Sequence, residues 1–186
     1  KVIAFDKTGT LTEGKPKVTN IKSYGIKREE LLQLAASAEK YSEHPLAKAI
    51  IAEANSIPDI ILTEPEETEI TAGQGIKSQL KGRTIIIGNR KLLYANGLEI
   101  PSGIEDYIKK EEAEGQTAVI VAEGNSILGV ISIADTIRED AVQLVRRLKA
   151  SGVKHIVMLT GDNERAAAAI AKKVGLDGYY AHLLPE

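Results

Sequence analysis

The sequence predicts an α/β fold in two parts, a parallel-sheet unit interrupted by an inserted α+β unit, and three observations predict it. From about Ile127 the pattern alternates strand, helix, strand, helix through "ILGVISIA", "TIREDAVQLVRRLKASG", "VKHIVML" and "NERAAAAIAKKVG", the signature of a parallel sheet. Between Ser23 and Asn125, helical stretches come first and short strands follow one another, which implies an antiparallel sheet. Lys1 to Phe5 reads as a buried strand standing alone. One strand cannot make a sheet, so it is expected to join the strands after Ile127.

In order along the chain, the opening strand runs into a polar loop, "DKTGTLTEG", punctuated by Gly9 and Gly14. Two helices follow, "REELLQLAASAEKYS" and "PLAKAIIAEA", then the short runs "EETEITA", "IKSQL" and "RTIIIG". A helix around "IEDYIKKEEAE", with Ser102 and Glu105 at capping-box spacing, leads to "TAVIVA" and the turn "EGNS". Beyond it Thr136 and Glu139 repeat the capping-box spacing, and Gly152 and Gly175 stand where helices stop. The expected first unit is 1–22 with 126–186, and the expected insertion is 23–125.

With 186 residues and 43% apolar content the chain can bury a core. A net charge of -2 leaves no basic surplus for a nucleic-acid backbone. No apolar run approaches the ~18 to 20 residues that cross a bilayer, so the piece itself is expected to be soluble. Starting on a strand without methionine points to a part of something larger. The absence of cysteine excludes disulfides and thiolate metal sites, and the histidines at 44, 155 and 182 form no ligand cluster.

Asp6 is expected at the carboxyl end of its strand, where open α/β sheets bind ligands. Its carboxylate can attack phosphorus in line and form an acyl phosphate, while Lys7, Thr8 and the backbone N–H groups around Gly9 can meet the transferred oxygens. Because two anions repel, Mg2+ is expected between Asp6 and a nucleotide, with Asp6 and Thr8 as its ligands here. A second anion site is read at Thr160, Gly161 and Asp162, where a hydroxyl, a glycine N–H and a helix start converge. Asp162 or Asn163 could instead only cap that helix.

Asp6-Lys7-Thr8-Gly9-Thr10-Leu11-Thr12 resembles the phosphorylation motif of P-type ATPases, within the haloacid dehalogenase-like superfamily. The resemblance implies a Rossmannoid phosphorylation domain, an aspartyl-phosphate at Asp6, and a phosphoryl contact from Thr160; Asp135 and Arg138 in "DTIRED" also match, although helix capping and a surface ion pair would explain them almost as well. Phosphatases of that superfamily usually carry an acid two residues after the nucleophile, and Thr8 cannot take that part, which favours a long-lived intermediate.

"SEHPLAKAI" looks like the adenine-recognition segment of heavy-metal transporting P-type ATPases. By that resemblance Glu43, His44, Gly73, Gly75, Ile76, Gly88 and Asn89 line the ATP pocket, although His44 before Pro45 could be only a helix-entry residue and Gly-x-Gly only a bulge. The resemblance further implies ATP and Mg2+ as cofactors, a first unit incomplete at its C-terminal end, and remaining Mg2+ ligands beyond Glu186. It also implies an intact membrane pump with transmembrane helices, an actuator domain and a transported ion, Cu+ ahead of zinc, cadmium or potassium, this part lying in the cytoplasm. No stable oligomer and no nucleic-acid partner are expected. The rival readings are a soluble phosphatase and a non-catalytic nucleotide-binding module.

Overall fold

The computed structural model describes residues 1–183. In chain order the elements are β1 (Val2–Asp6), β2 (Lys17–Ser23), α1 (Arg28–Ala38), α2 (Pro45–Asn55), β3 (Glu67–Thr71), β4 (Gly75–Leu80), β5 (Arg83–Gly88) and α3 (Arg90–Ala95). They continue with α4 (Ser102–Ala113), β6 (Thr117–Glu123), β7 (Ser126–Ala134), α5 (Ala141–Ala150), β8 (His155–Leu159), α6 (Glu164–Val174) and β9 (Gly178–Tyr180). The chain divides into two compact units: Lys1–Pro16 with Lys109–Thr117 and the residues from Ala134 on, and Lys17–Ile108 with Ala118–Ile133.

In the first unit β1, β8 and β9 form a three-stranded parallel sheet with β8 at the centre. Ile156 and Met158 on β8 are fully buried against Val145 of α5 and Ala167, Ile170 and Val174 of α6. Those α6 positions recur at the three- and four-residue spacing of one helix face, so the amphipathic pattern decides which side meets the sheet. Asn163 caps the start of α6 by accepting from the Ala166 N–H at 3.0 Å. Gly175, left-handed at φ 85°, ends it, as the sequence pattern required.

The second unit holds a six-stranded sheet in the order β2-β7-β6-β5-β4-β3. The pairs β3–β4, β4–β5 and β5–β6 are antiparallel. Ile85 and Ile87 of β5 pack into the cluster that includes Leu31, Leu32 and Ile50 of α1 and α2, while Ile86 packs with Leu93 and Ile108 of α3 and α4. The period-two alternation of a strand thus feeds two cores, one on each face.

"ILGVISIA" is a strand but does not pair with β1: it is β7, between β2 and β6. Only Gly124 and Asn125 separate β6 from β7, and so short a link can join only antiparallel neighbours. Gly129 also has no room for a side chain there, since a Cβ would lie 2.3 Å from Leu31 Cδ2 and 2.4 Å from the Lys22 carbonyl. Consequently Lys17–Lys22 and Ser126–Ile133, expected in the first unit, are in the second, and Lys109–Thr117, expected in the insertion, is in the first. The last three residues of the expected first unit, 184–186, lie outside the described residues.

The capping box at Thr136 and Glu139 does not form, because α5 starts only at Ala141. The preceding backbone is committed to the loop after β1: Glu13 N–H donates to the Thr136 carbonyl at 2.9 Å and Arg138 N–H to that of Leu11 at 3.0 Å. At the other predicted box, α4 already begins at Ser102 and Glu105 binds Arg90. Among the described residues no helix is long and apolar enough to cross a membrane.

Candidate active site

The parallel register of β1 on β8 sets Asp6 opposite Leu159, so Asp6 and Thr160 leave the sheet at the same carboxyl edge. Asp6 is exposed, and its side chain does not cap the turn that follows. Lys7–Leu11 forms a wide, irregular turn in which Thr8 is extended (φ -74°, ψ 122°) and Gly9 is left-handed (φ 76°). A residue with a Cβ would be strained at position 9.

One carboxylate fastens this turn. Thr12, fully buried, donates its hydroxyl to Asp135 Oδ2 at 2.7 Å and accepts from the Gly9 N–H at 3.3 Å. Asp135 also accepts from the Gly14 and Lys15 N–H groups, both at 3.0 Å. A supporting residue of the sequence motif is therefore the anchor of the loop that follows Asp6. Arg138 pairs with Asp140 at 3.2 Å in the open.

The Thr160–Asn163 segment divides its work by residue. Asn163 caps the helix, as noted. Asp162 does not; its Oδ2 lies 2.6 Å from Lys7 Nζ, and its Oδ1 accepts from the Thr117 hydroxyl at 3.3 Å. Buried Thr160 accepts the Asp162 N–H at its Oγ1, 3.1 Å away. Gly161 has the Leu183 carbonyl at 3.0 Å from the position of a Cβ. The structure thus gathers Asp6, Lys7, Thr160, Gly161 and Asp162 at one edge. Thr8 stands exposed beside them.

In the second unit His44 is the N-cap of α2, with its Nδ1 accepting from the Leu46 N–H at 3.2 Å. That bond leaves the proton on Nε2 in the neutral ring. Desolvation holds the His44 pKa below the ordinary histidine value although the residue is exposed overall. Glu43 turns outward to Lys48 at 2.5 Å, and this ion pair lowers its pKa.

Gly75 and Gly88 face each other across β4 and β5. A Cβ on Gly75 would lie 2.0 Å from the Ile87 carbonyl oxygen, and one on Gly88 2.1 Å from that of Gln74. The close approach of two backbones accounts for both glycines without a ligand. Asn89 stitches the same place together: its Nδ2 donates to the Gly73 carbonyl at 3.0 Å and its Oδ1 caps α3 at the Leu92 N–H, 3.2 Å away.

A cavity of about 280 Å3 opens between the α1–α2 connection and the β3–β4 hairpin, lined by Ala38, Tyr41, Ser42, Pro65, Glu66, Glu67, Thr68, Ile70 and Ile76. Of the residues predicted to line a pocket, only Ile76 lines this one. Beside it lies a residue that sequence reasoning missed. Glu39 is only 8% exposed, its Oε2 has no hydrogen-bond partner, and burial pushes its pKa from 4.5 to about 7, against a smaller opposing effect of the Ser42 hydroxyl. An acid continuing the buried face of Ala35, Ala36 and Ala38 was the available signal.

Residues 1–185 match the family model of the haloacid dehalogenase-like hydrolases. The copper-exporting P-type ATPase of Staphylococcus aureus (strain Newman) is 41% identical over 99% of this chain and 22% of its own length. A zinc-transporting PIB-type ATPase in its E2.Pi state superposes with a TM-score of 0.69 at 43% identity, over 100% of this chain and 29% of that one. The catalytic domain of the CPx-ATPase CopB-B gives 0.70 at 26% identity, over 98% and 61%. The chain spans about a fifth of the length of the curated relatives it matches, 22%. On the family match and the geometry of its Asp6 edge, the chain belongs to the haloacid dehalogenase-like hydrolases, similar in sequence and fold to the phosphorylation and nucleotide-binding region of heavy-metal P-type ATPases.

Proposed function

We propose that Asp6 takes the γ-phosphoryl group of ATP, that the second unit binds that ATP, and that the longer protein uses the cycle to export Cu+ from the cytoplasm across a membrane. The carrying observation is an exposed carboxylate, free of the turn that follows it, set one residue short of Thr160 across a parallel strand pair. An Asp6 oxygen forms a bond to the γ-phosphorus as the bond to the bridging oxygen breaks, and the electron pair leaves with ADP.

Thr160 can give its hydroxyl proton to a phosphoryl oxygen because its Oγ1 already accepts the Asp162 N–H. The N–H groups of the Lys7–Leu11 turn are a second source of donors. Thr8 supplies no acid or base at neutral pH, so the acyl phosphate outlasts its formation.

Among the described residues no group of three or more His, Asp or Glu side chains could enclose a metal ion. Mg2+ often binds through one or two carboxylates together with substrate phosphates, and Asp6 with Thr8 fits that mode. When bound, the ion would neutralise charge between nucleotide and carboxylate.

For the base, the fit rests on Glu39. Its buried carboxyl keeps one oxygen unpartnered and bonds the hydroxyl of Ser42, which does line the cavity, so a small opening at Ser42 would present a group suited to the amino edge of adenine. Glu43, assigned that part by resemblance, is held by Lys48 at the surface.

A second cargo, Zn2+, is supported by the 43% identity to a zinc-transporting pump. In the full-length protein, ATP labelled in the γ-phosphate should give an acid-stable, hydroxylamine-sensitive phosphoprotein that Asp6→Asn abolishes. Dependence of labelling on Cu+ or on Zn2+ decides the cargo. Label surviving in Asp6→Asn would end the proposal, and brisk phosphate release from p-nitrophenyl phosphate would favour a phosphatase.

A further inference from the structure

Tyr41 is an exposed aromatic residue held in a fixed position. It is 71% exposed, its hydroxyl donates to Glu64 Oε2 at 2.5 Å, and Lys40 binds the other oxygen of the same carboxylate. Lys40 Nζ also lies 5.7 Å from the centre of the Tyr41 ring. Exposed ion pairs contribute little stability, so this network is poorly explained as a stabilising device. It does fix the direction of a ring that lines the 280 Å3 cavity.

The lining says what the cavity can hold. Its walls include Tyr41, Ile70, Ile76, Ala38 and Pro65, and its charged groups are Glu66 and Glu67 with no lysine or arginine. A triphosphate would be repelled there, whereas a neutral heterocycle would not. The volume falls just below the roughly 300–1,000 Å3 of small-molecule clefts, enough for part of a nucleotide. Ile70, 72% exposed on the rim, adds apolar surface that bulk water would not favour. Ser42 and Thr68 in the lining offer neutral polar groups.

We propose that Tyr41 contacts the nucleobase of ATP, its ring, held by Glu64, forming one wall of the purine seat and Ile70 another. The inference rests on the reading of the second unit as the ATP-binding part, and it names a residue outside the "SEHP" and Gly-x-Gly motifs. The triphosphate leaves the cavity away from Glu66 and Glu67.

The test is titration of the 186-residue chain with ATP and with AMP by calorimetry, in the parent, Tyr41→Ala, Tyr41→Phe, Glu64→Gln and His44→Ala. Stacking of a base on an aromatic ring predicts a loss of about tenfold or more in affinity for Tyr41→Ala, equal for both nucleotides. Tyr41→Phe should stay within about threefold, because the ring remains, and Glu64→Gln should fall between. In the 3-fluorotyrosine chain, the resonance that vanishes in Tyr41→Phe should move on addition of AMP, a response that a purely structural tyrosine would not give.

If Tyr41→Ala binds within twofold of the parent while His44→Ala is weakened, or if the fluorine resonance stays still, the Tyr41 assignment fails and the nucleotide reading survives. If the parent binds neither nucleotide, both fall. Should Tyr41→Ala unfold, the fluorine shift and Tyr41→Leu decide.

Discussion

Lys7 Nζ lies 2.6 Å from Asp162 Oδ2, an ion pair between the residue after Asp6 and the third residue of the Thr160–Asn163 segment. Both side chains are mostly shielded, at 11% and 14% exposure, so the pair is closer to a buried than to a surface one. The lysine expected to meet a phosphoryl group thus also joins the turn after Asp6 to the turn after Leu159.

Removing one partner should cost more than removing both. Asp162→Ala leaves an ammonium group in a shielded place, with an expected loss of about 3–5 kcal/mol in urea unfolding of the chain. Lys7→Met combined with Asp162→Leu should recover most of it. A double variant as unstable as the worse single variant would show that the pair is not what the two turns depend on.

Asp135 accepts three hydrogen bonds from the loop after Asp6, one from the Thr12 hydroxyl and two from backbone N–H groups. Asp135→Ala and Thr12→Val should therefore loosen the turn that follows Asp6, the proposed nucleophile. Displacement of a reacting group by about 1 Å costs on the order of a hundredfold in rate. Single-turnover phosphorylation of the full-length protein should slow by that order in Asp135→Ala, and an unchanged rate would remove Asp135 from the positioning of the loop.

What the residues disclosed in advance follows from how local each feature is. The edge shared by Asp6 and Thr160 was legible because each stands in a short contiguous motif at the end of an apolar run, and a parallel pair brings two such ends together. The partner of β7 was not legible, because "ILGVISIA" is buried on both faces in either sheet and only the short link at Gly124 and Asn125 decides the direction. The strand β2 escaped notice because Lys17, Thr19, Asn20 and Lys22 dilute its alternation. Glu39 was hidden for a different reason. Its burial comes from packing of α1 beneath the sheet, and its identity alone, an acid near a helix end, reads as a solvated surface residue.

Glu39 gives the fold a pH dependence of unusual sign. Burial raises its pKa from 4.5 to about 7, so between those values the folded chain keeps a proton that the unfolded chain releases. The folded state is then favoured most below pH 4.5, and stability declines as pH rises to about 7. At roughly 1.4 kcal/mol per unit the penalty at pH 8 is on the order of 3 kcal/mol. Glu39→Gln is expected to be more stable than the parent at pH 8 in urea titrations and to show a flatter profile; superimposable profiles would place the titrating group elsewhere.

His44 carries two separable roles. Its Nδ1 caps α2 through the Leu46 N–H, and its depressed pKa keeps the ring neutral at pH 7. As pH falls below about 6.5 the unfolded chain takes up a proton more readily than the folded one, so this contribution to stability is present above that range and lost on acidification. Asparagine is among the strongest helix caps, so His44→Asn should keep the helix entry, whereas His44→Ala should lose about 0.5–2 kcal/mol. If the imidazole meets the nucleobase, both variants lose ATP affinity alike in calorimetry of the 186-residue chain, despite their different stabilities. Full affinity in His44→Asn with a loss confined to His44→Ala would assign the histidine to the helix entry alone.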